Sequence, residues 1–477
     1  MNRLFFLFAT LALVACTTVA PTAPTALPEV PAGFKEGDGR WKTVAPAEAQ
    51  PRGTWWKAFA DPDLDALIEH ANDSNTTVQV AAARLAQARA LVRSAQADRY
   101  PQVGARAGVV RQTEPLQGNR PDTLINAGAD LSYEVDLFGK LARTADAAQL
   151  DAQAREALLQ STRLLVQANV AQTYFAIRAV DAERALVRAT LAAYGDTLRL
   201  TERRFQAGDV AELDVARVTT EVAATESEAI ALDRARAELE HALALLVGAV
   251  ASRFELAAAD WNFVLPVVPA GVPSTVLARR PDVSAAQRSM LAAQTRVGVA
   301  QAAWFPDLLL TGSAGYASPQ LGDLFKWSTR AWGLGALLSL PVFDGGRREA
   351  GVLNAQAELD AALAAYREQI LVAFKDVEDQ LSSLRLLADQ AEVQARAVAA
   401  ADRATVLSDS RYRNGLVSQL ELLDAQRSEL RNRRQALQVR SAQYQATVGL
   451  IRALGGAWEP ARTESNAGSL LAERLNE

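Results

Sequence analysis

Few residues in this chain are able to do covalent chemistry. The 477 residues include one cysteine, Cys16, and two histidines, His70 and His241. The sequence has no Ser/His/Asp grouping, no His/Cys cluster of metal-ligand spacing and no phosphate-cradling glycine loop, so an enzyme reading and a bound cofactor both lack support. His241 lies in an Ala/Leu-rich helical stretch and reads as a packing residue. Cys16 is different. Met1-Asn2-Arg3 supplies a positive start, and Leu4 to Ala15 is a mostly apolar run of 12 residues. That run is too short to span a bilayer as a helix and suits the core of a secretory signal. Leu13-Val14-Ala15-Cys16 then resembles a bacterial lipobox, in which Cys16 takes a lipid and becomes the first residue of the mature chain. The competing reading is an ordinary signal followed by a chance cysteine. The small residue before Cys16 and the lack of a disulfide partner favour lipidation. Thr17 follows where an Asp holds such lipoproteins at the inner membrane, which points to the outer one. A single acyl anchor holds weakly, so something else must secure the protein to the bilayer.

Charge narrows the partners. Fifty basic residues against 55 acidic leave a net charge of −5 with no basic stripe, which excludes nucleic acid as a partner. The length allows two or three domains and a sizeable core.

The elements that would position these residues come as a long repeat. Tyr100-Pro101 returns as Phe305-Pro306, and Leu137-Phe138 as Val342-Phe343, both at an offset of 205. Arg204-Phe205-Gln206-Ala207-Gly208 returns as Arg411-Tyr412-Arg413-Asn414-Gly415, and Leu246-Val247-Gly248 as Ala453-Leu454-Gly455, both at 207. A long repeat in two copies is neither a solenoid nor a propeller. It predicts a signal peptide at 1–15, a lipidated extended segment at 16–63, a first unit at 64–250, a linker at 251–273, a second unit at 274–456 and a polar tail at 457–477.

Each unit reads as helix, two strands, then two very long helices. One helix is expected from Leu64 to Arg99, ended by Tyr100-Pro101. From Ile125 to Leu137 odd positions are mostly apolar and even positions polar or small, the period-2 signature of a sheet with two unlike faces. Strands are predicted at about 102–112 and 125–138, and again at 307–317 and 329–343, long enough for tilted membrane strands. Long helices follow at about 139–205, 209–247, 346–411 and 416–453. The stretch from Gly139 to Phe205 has no proline and would be roughly 100 Å long at 1.5 Å per residue. In the last helix Leu416, Leu420, Leu423, Arg427, Leu430, Arg434, Leu437, Ser441, Tyr444, Val448 and Ile451 alternate spacings of four and three. That is a coiled-coil seam, with Arg and Ser keeping it partly wet.

Four membrane strands cannot close a barrel, and lipid tolerates no open sheet edge. Several protomers must then complete one barrel together, while helices far too long for one bilayer project out of it. At this point the chain resembles the outer-membrane factor family, the TolC-type exit ducts, and its lipoprotein branch in RND-type tripartite efflux systems (NodT type). The resemblance covers nearly the whole mature chain. It rests on the lipobox at Cys16, Trp55-Trp56 with Asp61-Pro62, Tyr100-Pro101, Arg279-Arg280-Pro281-Asp282-Val283 and Phe305-Pro306. Phe343-Asp344-Gly345-Gly346, Arg411-Tyr412-Arg413-Asn414-Gly415, Asp424-Ala425-Gln426-Arg427 and Ala453-Leu454-Gly455-Gly456 complete it.

The resemblance implies a mixed α and β membrane protein with an internal two-fold repeat per chain. It would be a homotrimer, with a twelve-stranded β-barrel in outer-membrane lipid continued by a long α-helical coiled-coil tunnel across the periplasm. It also implies a periplasmic adaptor and an inner-membrane RND-type transporter as partners. A duct makes no bonds, so its key residues form an anchor, a gate and docking surfaces. In the family acidic side chains ring the narrow periplasmic end. The matching positions are Glu421 and Asp424, with Leu420 beside them; three copies of each would favour cations. The family has Asp where this chain has Glu421, which implies a somewhat narrower ring. Arg411, Tyr412 and Arg427 match positions that tie helices together when the duct is shut. Gly208 and Gly415 match hairpin turns that meet the adaptor. A plainer reading exists for each: solvated charges at helix ends, and helix terminators needing positive φ.

Three rivals stand against the duct. A periplasmic adaptor lipoprotein would carry one hairpin in a β-rich domain, a periplasmic enzyme would need catalytic groups, and a coiled-coil lipoprotein would lack the alternating strands.

Overall fold

The computed structural model describes residues 30–31, 33–36, 53–113, 121–259, 261, 265–266, 268 and 273–456. The signal segment, Cys16 and the tail at 457–477 lie outside the described residues. A short 3-10 turn at Trp55–Phe59 leads into α1 (Pro62–Ser74) and α2 (Thr76–Ala97), then β1 (Gln102–Thr113), β2 (Pro121–Val135), α3 (Lys140–Gln206) and α4 (Glu212–Val247). The second half follows with α5 (Pro273–Arg279), α6 (Pro281–Ala302), β3 (Asp307–Ser318), β4 (Arg330–Ser339), α7 (Arg347–Arg413) and α8 (Gln419–Ala453).

Local chemistry sets the boundaries. Asp61 caps α1, its carboxylate accepting the N–H groups of Asp63 and Leu64, with Pro62 at the first helical position. The single helix expected from Leu64 to Arg99 is broken at Asn75. Its side-chain oxygen accepts the N–H of Thr77 at 2.9 Å and of Val78 at 3.1 Å, and its amide donates to the Leu246 carbonyl at 2.7 Å. Asparagine competes with the helix ladder for backbone groups, and here it wins by capping α2.

The described residues form two compact units. One holds the described residues of 83–157 and 285–369 and contains the sheet; the other holds those of 30–82, 158–284 and 370–456. In the first unit the four strands pair antiparallel in chain order, with Gln102 opposite Ser132, Ile125 opposite Ser318 and Asp307 opposite Ser339. Among the described residues the outer edges of β1 and β4 are unpaired. The central seam is tight: a Cβ on Gly128 would stand 2.6 Å from the Ala314 carbonyl. Expected and observed strand ends differ. β2 covers 121–135 rather than 125–138, and β4 stops at Ser339 rather than 343. Alternation reports which way side chains face, and it runs on past the last ladder hydrogen bond. Below the sheet, Lys140 bridges Glu134 at 2.9 Å and Asp307 at 3.3 Å, and Phe138 stacks on Phe305 with ring centres 4.6 Å apart.

In the second unit Phe59, Phe175, Trp261 and Tyr444 pack ring against ring. The buried Tyr174 hydroxyl donates to Asp61 at 2.5 Å. Arg178 is fully buried; it donates to the Ala257 carbonyl at 2.6 Å and to Asp63 at 3.2 Å. Arg280 is buried too, held by Asp282 at 2.7 Å and Asp376 at 3.1 Å. Each buried cation thus has the partners that make burial tolerable.

The helices α3 and α7 have 67 residues each, about 100 Å apiece at 1.5 Å per residue. In α8 the expected seam holds along the upper part, where Tyr444, Val448 and Ile451 are buried. At the start it shifts. Leu416 precedes the helix and Leu420 is exposed, while Leu423 is buried as expected, with Gln419 and Leu422 buried beside it.

Candidate functional site

Two helical hairpins end in turns of the same construction. Gly208 and Gly415 sit at φ of +80° and +71°, with open space around each Cα, so the backbone conformation and not crowding requires glycine. At the first turn Asp209 N–H donates to the Arg204 carbonyl and Gly208 N–H to that of Phe205. At the second, Leu416 N–H donates to Arg411 and Gly415 N–H to Tyr412. Both satisfy the orphan carbonyls at the ends of long helices. Ser418 caps α8, its hydroxyl accepting the Glu421 N–H at 3.4 Å.

The residues expected from sequence to tie the tips lie close to one another. Arg411 on α7 pairs with Glu421 on α8 at 3.5 Å, and Arg427 pairs with Asp424 at 3.4 Å. Tyr412 is buried, with the Arg204 guanidinium over its ring at 4.6 Å from the centre. Neither carboxylate of the expected ring is therefore free: each shares its charge with an arginine. Leu420 stands exposed beside them.

Four further groups belong to this cluster and escaped sequence reading: Glu221, Glu228, Glu183 and Tyr194. Arg427 also pairs with Glu221 on α4, and one heptad along both helices Arg434 pairs with Glu228. Arg434 reaches Glu183 on α3 as well, at 2.6 Å. Beneath the first of these rungs Tyr194 is buried against Val218 and Leu423, and its hydroxyl has no hydrogen-bond partner. Burial first, then the nearby Glu221 charge, pushes its ionisation up to about 12. The available signal was the shared heptad step, Glu221 to Glu228 in α4 and Arg427 to Arg434 in α8, set at one offset of 206.

The chemistry of the cluster is mechanical. The ties of Arg411 to Glu421 and of Arg427 to Asp424 are largely exposed and worth roughly 0–1 kcal/mol each, whereas Glu221 and Glu183 are mostly buried where they meet Arg427 and Arg434. Among the described residues no group of three or more His, Cys, Asp or Glu side chains is placed to hold a metal ion. No described helix is long and apolar enough to cross a membrane.

Comparison with known proteins identifies the arrangement. The family model for outer membrane efflux proteins matches twice, over 67–249 and 272–456. The pyoverdine export outer membrane protein OpmQ of Pseudomonas putida is 34% identical over 460 residues, covering 94% of this chain and 96% of that protein. The probable outer membrane lipoprotein SilC of Salmonella typhimurium is 29% identical over 449 residues, 94% of this chain and 96% of its own. The solved structure of the outer-membrane channel OprN superposes with a TM-score of 0.85 at 30% identity, covering 93% of this chain and all of that one (100%). Fold and site together define a TolC-like outer-membrane channel, mostly helical with one small sheet. The chain belongs to the outer membrane efflux protein family; it is a transport duct of the outer membrane and not an enzyme. The adaptor reading is set aside.

Proposed function

We propose that this protein is the gated exit duct of a tripartite efflux pump, working as a homotrimer whose twelve strands close one barrel. The observation that carries the reading is the four-stranded sheet with two unpaired outer edges. An edge of free N–H and C=O groups is untenable in lipid, and a second and third copy of the chain remove it. A two-fold repeat within each chain is supported by the double family match and by the equal lengths of α3 and α7.

Within this reading Leu420, Glu421 and Asp424 line the periplasmic gate. Arg411, Tyr412 and Arg427 hold it shut, Gly208 and Gly415 shape the tips that meet a periplasmic adaptor, and an RND-type inner-membrane transporter feeds the pump. Cys16 carries the lipid that adds to the barrel's hold on the outer membrane. Relatives are named for pyoverdine, toluene and cations alike. Ducts of one family named for such different cargoes support selection upstream, in the transporter. The test is direct. Protein extracted in detergent is expected to run as a trimer that heat dissociates, and to open ion-conducting channels in planar bilayers. A monomer soluble without detergent would overturn the reading.

A further inference from the structure

Phe138 and Phe305 form the aromatic stack at the foot of the central seam, 4.6 Å between centres and 18° between planes. Each belongs to a different half of the chain. Phe138 lies in the segment joining β2 to α3, and Phe305 in the turn joining α6 to β3. Both have counterparts at an offset of 205: Val342-Phe343 for Leu137-Phe138, and Tyr100-Pro101 for Phe305-Pro306. The turns match in detail, since Tyr100 N–H donates to Ala97 as Phe305 N–H donates to Ala302. β1 and β3 are likewise both 12 residues long.

Among the described residues the counterpart rings find no such stack within one chain. Tyr100 sits below β1 and Phe343 below β4, the two opposite edges of the sheet. Phe343 is 90% exposed and Tyr100 is 69% exposed. Large rings standing this bare beside an unpaired strand edge mark a missing neighbour. The in-chain seam shows what that neighbour supplies, because β2 against β3 joins the halves in the way β4 would join β1 of another copy.

We infer that Phe343 of one protomer stacks on Tyr100 of the next, an aromatic clasp repeated at each subunit seam at the foot of the barrel. The inference rests on the trimeric reading above and adds the contact that sets how the copies meet. Phe138 on Phe305 is its internal twin, so the two halves close the duct with one device used within and between chains.

The experiment uses the full chain in the outer membrane, with Cys16 unchanged. Tyr100→Cys combined with Phe343→Cys, oxidised with copper phenanthroline, is expected to move most of the protein into reducible dimer and trimer bands. Either single variant is expected to give none, and Phe138→Cys with Phe305→Cys to remain within one chain. A double-mutant cycle serves should the cysteines perturb folding. Tyr100→Leu and Phe343→Leu are each expected to lower the temperature at which the trimer dissociates, with the double variant no worse than the larger single. Intact trimers without cross-linking, or with fully additive losses, overturn the clasp and leave the duct standing. Monomers from the unsubstituted chain overturn both.

Discussion

Arg427 on α8 is ion-paired with Glu221 on α4, and the same guanidinium holds Asp424 one turn back on its own helix. One arginine thus links the second helices of the two hairpins and neutralises a carboxylate proposed to line the gate. The chemistry of the tip and the packing of the tip are one network.

Loosening that network has a defined outcome. Glu221→Gln removes the inter-helix partner of Arg427 and leaves it Asp424 among the described residues. Glu221 is mostly buried and Arg427 is not, so the expected coupling is about 1 kcal/mol, weaker at high salt. Single-channel recordings of Glu221→Gln are expected to show larger or more frequent openings than the parent. Arg427→Glu combined with Glu221→Arg is expected to return toward parental behaviour. Additive effects of the two changes would separate this pair from gating.

The carboxylates themselves are testable apart from their ties. Glu421→Ala with Asp424→Ala deletes two acidic positions per chain. In a three-fold duct that strips the narrow end of its negative rings, so conductance is expected to rise and block by divalent cations to weaken in planar bilayers. Because Arg411 loses Glu421 and Arg427 loses Asp424 while keeping Glu221, positive charge at the tip is less fully offset, and selectivity is also expected to shift toward anions, readable as a changed reversal potential. Unchanged conductance and block would remove both residues from the gate.

Anchoring makes a third prediction. Cys16→Ser is expected to abolish metabolic labelling with radioactive palmitate while leaving heat-sensitive trimers in the outer membrane. One acyl chain gives marginal binding, whereas a closed barrel holds its place by burying a full apolar band. Labelling that persists in the variant would refute the lipobox.

What the sequence could reveal depended on whether a feature repeats. The strand hairpins and long helices rest on periodicities of two and 3.5 sustained over many residues, and such patterns survive local exceptions. Features decided by one side chain did not show. The break at Asn75 depends on its amide reaching Leu246, 171 residues away, and no local pattern announces that. At the start of α8 the seam predicted burial of Leu416 and Leu420. Neither is buried: the turn at Gly415 and the cap at Ser418 leave Leu416 ahead of the helix and Leu420 on its exposed first turn, while Leu423 is buried as the seam predicted, with Gln419 and Leu422 beside it. Arg411, Tyr412, Glu421, Asp424 and Arg427 were named from motif resemblance. Glu221 was not, since a glutamate in a helix full of them carries no mark until α4 lies beside α8. Arg204 over Tyr412 escaped for the same reason.

Tyr194 offers a prediction with a sign fixed by pH. Its phenol ionises ordinarily near 10.0, and in the folded chain that is pushed up to about 12, first by burial and then by Glu221. The folded state therefore keeps the proton after the unfolded chain has released it. Stability from this group is whole below pH 10 and is lost as the pH climbs from 10 toward 12, where folded Tyr194 also ionises. Tyr194→Phe removes the titration. At pH 7 the change is expected to cost less than about 1 kcal/mol, because the buried hydroxyl makes no hydrogen bond to lose. Between pH 10 and 12 the variant is expected to keep stability that the parent loses. Urea unfolding of the two proteins in the same detergent, at pH 8, 10, 11 and 12, reads the difference directly. Tyr174, also raised by burial and by its bond to Asp61, titrates equally in both and cancels from the comparison. Parallel curves for parent and variant across that range would show that Tyr194 is not protonated against an ionised background, and that the rung above it opens to solvent.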